Sequence, residues 1–233
     1  MKRSLPLGLV VLAATLAGCG LISSDVTNFD LTLPDKKFTV DTGSWQVDSN
    51  AAKLYLMSSC TSSQTCNTAV QQACRMGCTG SCSAQSMCDL TLQVSLFQAV
   101  DLLTEKPELK SINDQPVIKV TIDSVTYEVT ANSLNVDTPV FTVYVAPMNV
   151  TNPSDPMATA IGTIPAVKAG TTTMGPQAIM FTASGKADLV SIMSTYKTPF
   201  NVMVGSSITV SNGQMVPMGK LDSVVHIKAH AGI

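Results

Sequence analysis

Residues 90–97 read Leu-Thr-Leu-Gln-Val-Ser-Leu-Phe. Leu90, Leu92, Val94 and Leu96 alternate with Thr91, Gln93, Ser95 and Phe97. Successive side chains of a strand point to opposite faces, so a period of two marks a strand with one face in a core. The same signature recurs down the chain. Residues 117–129 are rich in Val, Ile, Thr and Tyr, with a phase shift at Asp123-Ser124 that calls for a bulge or turn. Val140 to Val145, Ala160 to Ile164 and Gln177 to Thr182 are further strands. Ser207 to Val210 and Gln214 to Val216 flank Ser211-Asn212-Gly213, and Asn-Gly is a hairpin signal because both residues tolerate positive φ. Leu221 to Ala229 closes the pattern, with Leu221, Ser223, Val225, Ile227 and Ala229 on the inner face. Lys186 to Thr195 is the exception: Leu189, Ile192 and Met193 have helical spacing.

Working back toward the N-terminus, Phe29, Leu31 and Leu33 alternate with polar residues, Pro34-Asp35 makes a turn, and Phe38-Thr39-Val40 resumes a strand that Trp45-Gln46-Val47 is placed to continue. The expected fold class is mainly β, an immunoglobulin-like or related β-sandwich. Residues 29–57 supply its N-terminal strands and 90–233 its main body.

Residues 58–89 differ. They are rich in Ser, Thr, Gln and Cys, and hold Cys60, Cys66, Cys74, Cys78, Cys82 and Cys88. Thr68 to Met76 is a helix candidate, with Ala69, Ala73 and Met76 on one face, and Cys74, Cys78 and Cys82 recur at intervals of four that would continue that face. Gly77 and Gly80 weaken a continuous helix. The segment reads as a small, partly helical excursion too poor in apolar residues to hold itself without covalent links. Six cysteines are an even set for three disulfides, with the pairing open among 15 possibilities. Zinc and iron–sulfur sites favour Cys-x-x-Cys spacings, which these intervals do not match.

The first residues carry an address. Lys2 and Arg3 precede an apolar run from Leu5 through Leu16, broken by Pro6, Gly8 and Thr15. It has the layout of a secretory signal and is short for a membrane span. It ends in Leu16-Ala17-Gly18-Cys19, which resembles the lipobox of bacterial lipoproteins position for position. The resemblance implies cleavage after a signal peptide of residues 1–18, diacylglyceryl transfer to the Cys19 sulfur, and acylation of the new amino terminus. Gly20 stands where, in that family, an Asp favours inner-membrane retention, so the implied address is the outer membrane, on its periplasmic or surface face. Residues 19–28 then form a polar tether. The whole chain also resembles uncharacterised cysteine-rich lipoproteins of Gram-negative bacteria. Residues 117–145, with Asn132-Ser133-Leu134-Asn135 between strands, resemble the water-stress β-sandwich domains of the late embryogenesis abundant type, though without their Asn-Pro turn.

Composition narrows the function. Charged residues are 13% of the chain and aromatics 5%, and the formal net charge is −2. Loss of Lys2 and Arg3 with the leader makes it two units more negative. No basic patch and no stacking platform is visible, which excludes nucleic acid as the expected partner. Asp41-Thr42-Gly43-Ser44 resembles the active-site turn of aspartic proteases. That chemistry needs two carboxylates sharing a proton, and no second copy of the motif exists; Asp and Gly are also common in turns for local reasons. Ser194-Thr195-Tyr196-Lys197 matches Ser-x-x-Lys of penicillin-recognising enzymes but lacks the partner motifs. His226 and His230 lie on the outer face of the final strand, about 13 Å apart, and read as solvent-facing. Met215 and Met218 read as core filling, with copper binding through thioethers as the sharper alternative.

The expectation is therefore a lipid-anchored envelope protein, attached to the membrane through Cys19. It acts as a non-catalytic binding or structural module for another envelope protein or a cell-wall polymer, with no catalytic residue, cofactor or metal assigned. The alternatives are a hydrolase built on the Asp41 turn and a metal-binding lipoprotein.

Overall fold

The computed structural model describes residues 29–112 and 118–232. The leader, Cys19, the tether and Val117 lie outside the described residues.

The chain runs β1 (Phe29–Asp30), β2 (Lys36–Asp41), α1 (Ser49–Leu56), α2 (Ser63–Ala69), β3 (Cys78–Cys82), β4 (Cys88–Val100), α3 (Leu102–Glu105), β5 (Lys119–Asn132), β6 (Phe141–Pro147), β7 (Thr159–Ile164), β8 (Gln177–Ala178), β9 (Met180–Phe181), α4 (Gly185–Ser194), β10 (Phe200–Val210) and β11 (Lys220–Gly232). Two antiparallel sheets share one core. The first has the order β1-β11-β5-β8, with β2 also paired to β11; the second has the order β3-β4-β10-β6-β7-β9. The mainly β, two-sheet expectation holds.

The alternation at 90–97 does what its period requires. Leu90, Leu92 and Val94 are buried while Gln93 and Ser95 face out. Each fully buried Leu contributes roughly 1.5–3 kcal/mol over leaving it in water. The phase shift near Asp123 is a bulge. Ser124 opposes Lys228 and Ile122 opposes Ala229, so Asp123 is the extra residue. Val120 and Ile122 before it and Val125, Tyr127 and Val129 after it are thereby all turned inward. In β11, Leu221, Val225, Ile227 and Ala229 are buried as expected. Val224, on the opposite face, is buried as well. The expected helix at 186–195 is α4, with Leu189 and Met193 in the core.

Several elements differ from expectation. Residues 42–57 are not strand. Thr42–Trp45 is a 3-10 turn and Ser49–Leu56 a helix. The Asp48 carboxylate accepts from the N–H groups of Asn50 and Ala51, both at 2.9 Å, and Ala52, Tyr55 and Leu56 are buried at helical spacing. The helix expected at 68–76 begins at Ser63 and ends at Ala69. Cys78 and Cys82 stand on a strand rather than a helix. An interval of four leaves them on one face either way.

Asn212-Gly213 forms a turn, with Gly213 at φ +84° and Gln214 N–H donating to Ser211 C=O at 3.0 Å, but no hairpin follows. β10 pairs with β4 along its whole length and with β6 only from Phe200 to Gly205, so Ser207–Val210 has β4 on one side and no returning strand on the other. The chain crosses instead to the first sheet as β11. Gln177 to Thr182 also splits. β8 pairs with β5 in the first sheet and β9 with β7 in the second, and Ile179 between them is buried in the core.

Candidate functional site

The cysteine-rich segment is a staple. Cys60–Cys82 and Cys66–Cys88 are disulfides, each spanning 22 residues, and Cys74–Cys78 closes a third. In the chain-entropy picture a loop of that length stabilises the fold by roughly 3 kcal/mol. The first two bonds clamp α2 and its approach onto β3 and β4. β3 lies so close to α2 that a Cβ at Gly80 would sit 2.6 Å from the Cys66 carbonyl. The sulfurs of Cys60, Cys66 and Cys88 lie within 4.8 Å of one another, but all three are committed to adjacent disulfides.

Beside the staple the protein has an open cleft of ≈ 900 Å³. Gln93, Ser95, Thr142, Tyr144 and Ser207 contribute to its floor on the outer face of the second sheet. One wall is Asn152, Pro153 and Ser154, in the loop that follows β6. That loop is pinned by Asn201, whose side-chain N–H groups donate to the carbonyls of Met148 (2.9 Å) and Val150 (2.8 Å). The opposite wall is Thr39–Asp41 of β2 with Ser44, Trp45 and Met76. Among the described residues lining the cleft, Asp41 alone is charged.

The cleft exists because two strand edges stop short of each other. β4 is laddered to β10 along residues 90–100, but to β3 only from Cys88 to Leu92. β2 is laddered to β11 alone. In an antiparallel strand alternate residues turn both main-chain groups to the same side. Gln93 shows which side faces the cleft: its N–H donates to Gly77 C=O (2.7 Å) and its C=O accepts from Trp45 Nε1 (2.8 Å). Ser95 and Phe97 therefore present their N–H and C=O groups to the same open edge. On β2, Lys37 C=O accepts from Gln98 Nε2 at 3.0 Å, so Thr39 faces the cleft too. Trp45 closes one end. Past the other end β2 and β4 are tied together, first by Gln98 Nε2 on Lys37 C=O and then by Lys36 Nζ, which donates to Ala99 C=O (3.4 Å) and Glu105 (2.6 Å).

The Asp41 turn is satisfied within itself. Oδ1 accepts from Gly43 N–H at 2.9 Å and Oδ2 pairs with Lys220 Nζ at 2.7 Å. The Lys220 hydrogen bond, with the Gly43 N–H behind it, holds the carboxyl below the ordinary Asp value. That is opposite to the raised pKa of a carboxyl sharing a proton. Ser194 ends α4, and the Lys197 ammonium lies 5.7 Å from the centroid of the Tyr196 ring.

His226 and His230 have partners distant in the sequence that the sequence did not reveal. His226 Nδ1 meets Asp35 at 2.6 Å and His230 Nδ1 meets Asp123 at 2.9 Å. The side chain of His226 is 22% exposed, more buried than its place on the outer face implied. Met215 and Met218 are exposed rather than core filling, and line a second hollow of ≈ 490 Å³ with Met57.

Comparison with protein-family models and with curated proteins gave no match to this chain.

Proposed function

We propose that the protein is an outer-membrane lipoprotein, held by lipid on Cys19, whose disulfide-stapled β-sandwich works as a non-catalytic binding module in the cell envelope. The observation that carries the reading is Leu16-Ala17-Gly18-Cys19 at the end of a charged, apolar leader. Two or more acyl chains give stable anchoring, since each buried methylene contributes about 0.8 kcal/mol. Three disulfides suit an oxidising compartment outside the cytoplasm. Among the described residues no helix is long and apolar enough to cross a membrane.

The cleft beside Ser95 is the surface through which such a module meets another envelope component. Its lining mixes polar and apolar groups and is almost uncharged, and Asp41, the charged residue among the described lining residues, is already paired. Fractionation of cells expressing the full chain and its Cys19→Ser variant tests the anchor. The parent chain sediments with outer membranes and is labelled by palmitate. The variant carries no label and leaves the membrane fraction. A parent chain that is soluble and unlabelled would refute the reading.

A further inference from the structure

We propose that the cleft between β2 and β4 binds an uncharged, extended peptide segment, which adds as a short strand to the free edge of β4. The proposal deepens the preceding reading by naming the ligand class, and it stands or falls independently of acylation at Cys19.

Main-chain groups on the cleft side of β4 lie outside either ladder of that strand. Gln93 is the last residue of β4 whose cleft-side N–H and C=O are both met, by Gly77 and Trp45. Beyond it Ser95 and Phe97 lie on the unladdered side of the strand, and Ala99 C=O is again taken, by Lys36 Nζ. The open stretch therefore has defined ends and holds two residues' donors and acceptors. An exposed edge of this kind is a template for another strand, and proteins ordinarily blunt it with charge, proline or a bulge. Here β4 runs through 90–100 without a register shift against β10, and no proline or charged residue lies between Gln93 and Val100. Thr39 on β2 faces the gap from the other side, so an incoming backbone meets polar groups on both flanks.

The lining sets the character of the side chains. A strand added beside β4 points alternate residues inward, toward Val40 and Leu96, and outward, beside Ser95. Small apolar residues suit the first set and uncharged polar residues the second. A charged peptide finds no free counter-charge in the lining, because Asp41 is bound to Lys220. Side chains alone would also accept a neutral glycan. The unpaired edge favours a peptide, since a glycan has no repeating N–H and C=O to offer it.

The test uses the full chain solubilised in detergent. A random peptide display library is selected on it, and an uncharged glycan array is probed in parallel. Enriched peptides are expected to alternate small apolar and uncharged polar residues. N-methylation of alternate residues in one register should weaken them about tenfold or more, while the other register is affected less. Amide hydrogen exchange of Ser95 and Phe97 should slow when a selected peptide is bound. Ser95→Pro removes the cleft-side N–H, which an edge strand tolerates, together with the long hydroxyl contact to Thr151 C=O (3.4 Å); it should abolish binding with the melting temperature retained, while Ser95→Ala, which loses the hydroxyl alone, should still bind. Should Ser95→Pro fail to fold, exchange on the parent chain still decides. Failure to enrich any peptide, binding that tolerates N-methylation in both registers, unchanged exchange at Ser95 and Phe97, or saturable binding confined to glycans would each overturn the proposal.

Discussion

Lys36 and Glu105 form an ion pair of 2.6 Å where β2 and β4 are tied together beyond the cleft, with Lys36 only 7% exposed. Nζ also reaches the Ala99 carbonyl, so one ammonium ties β2, β4 and α3 together. The second oxygen of Glu105 is buried without a hydrogen-bond partner. Removing one member of a buried pair leaves the other charge uncompensated, whereas replacing both with apolar groups can be neutral or better. Lys36→Ala should destabilise the fold by about 3–5 kcal/mol, and Lys36→Met with Glu105→Leu should recover most of that. Urea unfolding of the three proteins checks it. A single variant as stable as the parent would show that the pair is not what ties these strands together.

Gly80 is where β3 touches α2. The added methyl of Gly80→Ala would meet the Cys66 carbonyl and the Tyr55 hydroxyl. Main-chain atoms cannot swing aside, so α2 must lift off β3 and strain the staple. Overpacking of this kind costs typically about 1–3 kcal/mol. Thermal melts of Gly80→Ala, with counting of free thiols in the denatured, unreduced protein, provide the measurement. A parent chain with six reactive cysteines from Cys60 to Cys88 would contradict the staple itself.

Tyr55 gives a spectroscopic signature of the same contact. Its hydroxyl donates to Asp89 C=O at 3.1 Å. Burial, reinforced by the Asp89 charge, pushes its pKa up to about 12. The raised value stabilises the fold below pH 10 and is lost as pH rises toward 12. Alkaline difference absorbance should show one tyrosine titrating well above the ordinary range, and that component should vanish in Tyr55→Phe.

The Asp41–Lys220 pair predicts an acid dependence. The folded carboxyl sits below its ordinary value. Its contribution is therefore present above the unfolded pKa near 3.9, and fades as pH falls through the lower folded value. The melting temperature of the parent should exceed that of Asp41→Asn near neutrality, and the two should converge as pH falls through and below the ordinary Asp range. The pair is exposed, so the difference is small and shrinks in salt. A gap that persists unchanged at low pH would show that the charge on Asp41 is not its source.

Much of the strand content was legible because period-two burial is a local signal. Leu90, Leu92 and Val94 announce an inner face without knowledge of any neighbour, and so does the phase slip at Asp123. Partnering was not legible. Asn212-Gly213 reads as a hairpin turn, but the chain after it ladders to β5 in the other sheet, a long-range partner that no local signal announces. Gln177 to Thr182 reads as one strand, and only the geometry of two sheets divides it at Ile179. The helix at Ser49–Leu56 did leave a signal, Asp48 ahead of Ala52, Tyr55 and Leu56, which the neighbouring strand pattern obscured. The cleft depends on where β3 stops pairing with β4, a distance between strands that no stretch of sequence encodes by itself. The cysteines showed their number but not their pairing, because 78 and 82 share a face on a helix and on a strand alike.

An acyl anchor on Cys19 leaves its mark in the mass of the tryptic N-terminal peptide of membrane-extracted protein. That peptide should run from Cys19 to Lys36, with the mass of a diacylglyceryl thioether on Cys19 and an additional acyl group on its amino terminus. A mature chain that starts elsewhere, or a Cys19 without lipid, would contradict it.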